Sequence, residues 1–71
     1  MKPDFAKFEA TNMVQYEDSL RIFFRYDEWN AVIRVGSVSV GRWWSTDGEY
    51  GEDLTLEEVK LLLMKYLSVG W

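Results

Sequence analysis

The chain has 71 residues, 48% hydrophobic and 28% charged, with a net charge of −4; that is room for a single domain, residues 1–71, of globular rather than disordered or collagenous composition. Cysteine and histidine are both absent, which excludes disulfide staples, thiol nucleophiles, imidazole bases and nearly all zinc sites, so neither an enzyme nor a cofactor is expected. Four Trp, four Tyr and four Phe supply core in place of a staple, each ring burying on the order of 150 to 250 Å² when packed.

Met1-Lys2-Pro3-Asp4 leads into no long apolar run, and the longest such run, Leu61 to Met64, is far short of the roughly 20 residues of a membrane span. A cytoplasmic protein with no membrane partner is the expectation. Pro3 to Ala10 fits either a short helix carrying Phe5 and Phe8 or a strand. Val14 and Tyr16 alternate as in a strand, which Glu17-Asp18-Ser19 joins to the next element. From Leu20 to Tyr26 the residues alternate strictly, with Leu20, Ile22, Phe24 and Tyr26 on one face and Arg21, Phe23 and Arg25 on the other.

Asp27-Glu28-Trp29-Asn30 reads as a polar turn, Ala31 to Val35 as a strand, Gly36-Ser37 as a two-residue turn with Gly first, and Val38 to Trp44 as a third strand. Pairing Tyr26 with Ala31 sets Phe24 beside Ile33 and Ile22 beside Val35. Pairing Val35 with Val38 sets Ile33 beside Val40 and turns Trp44 inward, leaving Trp43 on the outer face. A single bent strand with a bulge at Gly36 is the alternative.

The C-terminal helix carries the clearest signals. Thr55 and Glu58 form a capping box, and Leu54 can staple onto Val59. Val59, Leu62, Leu63, Tyr66 and Leu67 recur at helical spacing as a core stripe, with Leu61, Met64 and Trp71 beside it. The expected fold class is therefore α+β, an antiparallel β-meander of three to four strands packed by one C-terminal α-helix.

Charge is unevenly spread. Ser19 to Trp44 sums to +2, whereas Ser45 to Glu58 holds six acids and no base. Its carboxylates lack the glycine and closing Glu positions of an EF-hand, so no metal site is expected. Trp43 and Tyr50 accompany these acids, and aromatics are the residues most enriched at binding hot spots.

In its general form, short, acidic, aromatic-rich and without catalytic residues, the chain resembles the small inhibitors that bacteriophages encode against host nucleic-acid enzymes, such as anti-CRISPR, anti-restriction and uracil-DNA glycosylase inhibitor proteins. The resemblance is of type. Glu17-Asp18-Ser19-Leu20 is similar, over four residues with Asp18 interrupting, to the Glu-Ser-hydrophobic strand by which uracil-DNA glycosylase inhibitors meet their enzyme. It implies a partner protein with a basic nucleic-acid-binding groove, occupied by phosphate mimicry through Glu17, Asp18, Asp47, Glu49, Glu52 and Asp53, with Trp43 and Tyr50 as anchors. In that reading nucleic acid is not bound directly. A second reading places single-stranded nucleic acid on the outer sheet face, with Phe23 and Trp43 stacking bases and Arg21, Arg25 and Arg34 on the backbone. A third is a homodimer that buries leftover helix surface.

Overall fold

Two apolar surfaces in this sequence need cover, the inward face of the strands and the stripe of the C-terminal helix, and the fold lays one on the other. The computed structural model describes residues 3–36, 40–48 and 51–70. After a single 3-10 turn at Phe5–Lys7 come strands β1 (Glu9–Gln15), β2 (Leu20–Tyr26), β3 (Trp29–Val35), β4 (Val40–Ser45) and β5 (Gly51–Asp53), then helix α1 (Leu56–Gly70). The strands form one sheet in the order β1-β2-β3-β4-β5, each pair antiparallel. The α+β class and the meander are as expected, but the sheet has five strands rather than three to four.

The strand expected at Val14 and Tyr16 is β1, which starts earlier and ends at Gln15, and β5 is the addition. Pro3 to Ala10 contains a helical turn and the start of a strand together, the Asp4 carboxylate capping the turn by accepting from the Ala6 amide at 3.0 Å. Phe5 and Phe8 are buried. β5 lies inside the acidic segment and is three residues long, too short to display a period of two. No helix among the described residues is long and apolar enough to cross a membrane.

Helix α1 begins where the sequence places it. The Thr55 amide donates to Glu58 Oε1 at 2.8 Å and the Glu58 amide to Thr55 Oγ1 at 3.2 Å, which closes the capping box. Leu54 and Val59 are both buried in the core, as a staple requires. Val59 and Leu62 lie in the core, with Leu63 and Tyr66 packed against it. Leu67, expected on the same stripe, is instead 57% exposed.

The register differs from expectation at both hairpins, with different consequences. The β2–β3 turn is the two residues Asp27-Glu28, so Tyr26 pairs with Trp29, Phe24 with Ala31 and Ile22 with Ile33. Asp27 sits at φ 55, a left-handed conformation that Asp tolerates better than most residues. Trp29 is therefore a strand residue, its ring edge-on to Trp43 at 5.6 Å. A displacement of two residues keeps every side chain on its expected face.

At the second hairpin Arg34 pairs with Val40, Ile33 with Gly41 and Ala31 with Trp43. This is a two-strand hairpin, not a bent strand, and its register is one residue from the expected one. Ser37 and Val38 lie outside the described residues. An odd displacement inverts β4: Trp43 is 1% exposed and Val40 43% exposed, while Trp44 moves to the outer face. The physical reason is Arg42. Val40, Arg42 and Trp44 share one face, so turning Val40 and Trp44 inward would carry a guanidinium into the core, where an unpaired charge costs several kcal/mol or more. The observed register turns Gly41, Trp43 and Ser45 inward instead.

Space at Gly41 is filled by the chain that leads into α1. A Cβ there would lie 2.6 Å from Leu54 Cδ1 and 3.1 Å from the Val32 carbonyl oxygen. Ala31, fully buried opposite Trp43, leaves room for the indole, against which Phe5 packs edge-on at 6.2 Å.

The two neighbouring tryptophans should thus respond differently to truncation. Trp43→Ala is expected to cost about 3 to 5 kcal/mol, enough to unfold most of so small a domain. Trp44→Ala should stay within about 1 kcal/mol of the parent. Urea denaturation followed by circular dichroism measures both, and equal losses would refute the assignment of faces.

Candidate functional site

Because α1 covers only one face of the sheet, the other is left without a covering element among the described residues, and the pairing registers lay out its side chains in three rows across the strands. One row is Val14, Arg21, Arg34 and Val40; the next is Asn12, Phe23, Val32, Arg42 and Asp53; the third is Glu9, Arg25, Asn30, Trp44 and Gly51. Rows stand about 7 Å apart and neighbours within a row about 5 Å. All four arginines of the chain are on this face. Against Glu9 and Asp53 they give it a net charge of +2 in a chain of net −4.

Each strand puts its arginines outward for the same reason. β2 and β3 bury Ile22, Phe24, Ala31 and Ile33, and a period of two sends Arg21, Arg25 and Arg34 to the opposite side. Arg21 and Arg34 stand directly across from each other, a like-charge pair that destabilises the sheet in the absence of an anion. Arg21 is steadied by the Tyr16 ring, its guanidinium carbon 4.6 Å from the centroid. Arg25 Nε donates to the Asp27 carbonyl and Arg42 Nη2 to the Gly51 carbonyl, each at 3.3 Å. A guanidinium has five N–H donors, so these bonds orient Arg25 and Arg42 while leaving donors for a ligand.

Between the arginines the floor is apolar and aromatic. Phe23, Val32 and Trp44 are partly exposed. A groove of about 740 Å³ starts on the first two rows, lined by Arg21, Arg34, Arg42, Phe23 and Val32, and continues past Asp53 and Leu56 to Gly41, Leu54 and Val59 at the margin of the core. A smaller depression of about 310 Å³ beside it is lined by Asn12, Phe23, Arg25, Asn30 and Trp44.

Among the described residues, the acids expected to form one interface lie in two separate places, the β1–β2 turn and the β4–β5 hairpin. Trp43, expected as an exposed anchor, is in the core. Glu17 and Asp18 are exposed in the turn between β1 and β2, whereas Glu52 and Asp53 are on β5, four strand spacings away across the sheet, roughly 19 Å. Asp47 is in the turn after β4 and accepts from Ser45 Oγ at 2.7 Å. Glu49 and Tyr50 lie outside the described residues. Asp53 belongs to the arginine face, opposite Arg42. Among the described residues no group of three or more acids is gathered as a metal ion would need.

Arg42 and Trp44 are the residues that sequence reasoning left off the outer face. Their signal was present in the alternation of Val40, Arg42 and Trp44, which forbids separating Trp44 from the arginine. In comparisons with known proteins, no family model, no curated protein and no solved structure matches the chain.

The like-charge pair has a measurable consequence. Raising ionic strength from about 10 mM to about 1 M, over which the Debye length falls from about 30 to 3 Å, should stabilise the parent protein. In Arg34→Gln that gain should shrink by about 0.2 to 1 kcal/mol. Urea midpoints at the two salt concentrations test this; identical salt responses would show that the pair carries no strain.

Proposed function

We propose that this protein is a binding module for single-stranded nucleic acid, held on the uncovered sheet face. The observation that carries the reading is the gathering of every arginine of an acidic chain on one face, interleaved with Phe23 and Trp44. Guanidinium groups bind phosphate oxygens with paired N–H donors, and aromatic rings offer stacking platforms for bases. Phe23 and Trp44 are offset by two strands and one row, about 12 Å, which suits two different bases rather than one. Stacking of this kind needs unpaired bases, because in a duplex the base faces are occupied by their neighbours.

The acidic remainder of the molecule serves this reading too. A negative surface elsewhere repels nucleic acid from all but the arginine face, which orients the encounter. The competing reading, an inhibitor that mimics phosphate, would rest on acids divided between the β1–β2 turn and the β4–β5 hairpin, without Trp43 as anchor.

Fluorescence anisotropy of a labelled oligonucleotide tests the proposal. With about four phosphates neutralised, the plot of log affinity against log salt should have a slope of roughly −3. Replacing Arg21, Arg34 or Arg42 with Gln should each flatten that slope by about one unit or less. Trp44→Ala should weaken binding by about 1 to 3 kcal/mol and leave the slope unchanged. Absence of binding at about 100 μM protein in low salt, the scale of ordinary nonspecific affinity, would overturn the proposal in favour of the acidic surface.

A further inference from the structure

The three arginines that share the larger groove are arranged differently from a track along a phosphate backbone. Arg21 and Arg34 are paired across β2 and β3, and Arg42 lies one strand and one row away, opposite Val32. All three line the same groove. Arg25, the fourth, is on the other side of Phe23 and lines the neighbouring depression. Arg21 and Arg34 thus pair their positive charge at one end of the face, whereas Arg42, its Nη2 on the Gly51 carbonyl, leans toward the row of Trp44 and lines a depression with it. Asp53 and Leu56 also line the groove, with Leu56 63% exposed.

Charge matching sets what the groove accepts. Three guanidinium groups and the Asp53 carboxylate give its lining a net charge of +2. An internal phosphodiester carries one negative charge. A phosphate monoester carries about −1.5 to −2 at neutral pH and offers three terminal oxygens, enough acceptors for paired donors from both Arg21 and Arg34. The groove volume of about 740 Å³ is within the roughly 300 to 1,000 Å³ usual for sites that enclose small ligands.

Resting on the single-strand reading above, we infer that this groove is an end-recognition site, which takes the terminal phosphate monoester of a nucleic-acid strand while the adjoining nucleotides lie over Phe23 toward Trp44. The dianion sits between Arg21 and Arg34, where it relieves their mutual repulsion, and Arg42, held on the Gly51 carbonyl toward the row of Trp44, meets the adjoining nucleotide.

The test compares one labelled oligonucleotide sequence in three forms: with a 5′-phosphate, with a 3′-phosphate, and with hydroxyl groups at both ends. One phosphorylated form should bind about ten-fold or more tightly than the unphosphorylated form, the gain expected of additional hydrogen bonds between charged groups. Which end shows the gain gives the polarity of the strand on the sheet. In Arg34→Gln, with folding verified by circular dichroism, affinity for all three forms should fall and the ratio between them should collapse toward one. Trp44→Ala should lower all three affinities and preserve the ratio. Equal binding of the three forms by the parent protein would overturn end recognition and leave the single-strand reading intact. No binding of any form would overturn both.

Discussion

The packing of Trp43 against Ala31 fixes what the rest of this molecule can be. Strand β4 carries two adjacent tryptophans, and only one can face the helix. With Trp43 inward, Phe5 and Trp29 close on its indole and Gly41 admits Leu54, which leads directly into the capping box of α1. The same choice sends Val40, Arg42 and Trp44 to the other face. Core and candidate site are therefore not independent: one register decides both.

That coupling explains how an acidic chain comes to have a basic face. The arginines of β2 and β3 are outward because their alternate neighbours, Ile22, Phe24, Ala31 and Ile33, are buried in the core. Arg42 joins them because its inward placement would cost more than the burial of Trp44 could return. Once the four are assembled, Arg21 and Arg34 face each other without an intervening carboxylate in their row. A stability-driven sequence has an easy remedy, a Glu or Thr at either position. Two arginines facing each other there suit the proposed anion-binding surface, at a small cost in stability.

Much of the architecture was legible in the sequence where local chemistry acts within a few residues. The capping box Thr55 to Glu58 and the alternation of Leu20 to Tyr26 need no distant partner, and both elements are where those signals place them. Register was not legible in the same way. Apolar agreement across a turn tests only whether the displacement is even or odd, so the first hairpin could shift by two residues without consequence for its faces. The second shifted by one, and every residue of β4 changed sides. Reading Val40 and Trp44 as inward without following Arg42, which lies between them on the same face, produced that inversion. β5 was invisible for another reason: Gly51-Glu52-Asp53 has no apolar residue to reveal a strand, and pairing with β4 alone defines it. The candidate site followed from register, so its arginines on β2 and β3 were read correctly while Trp44 and Arg42 were not.

The register of β3 against β4 can be measured without a ligand. Nuclear Overhauser contacts between backbone protons of facing residues report antiparallel pairing directly, and in a chain of 71 residues they can be assigned one by one. The account predicts cross-strand contacts joining Ala31 to Trp43, Ile33 to Gly41 and Arg34 to Val40. Contacts joining Ile33 to Val40 and Ala31 to Arg42 would contradict it, because they would turn Trp44 into the core, expose Trp43 and dissolve the arginine face on which the proposed function depends.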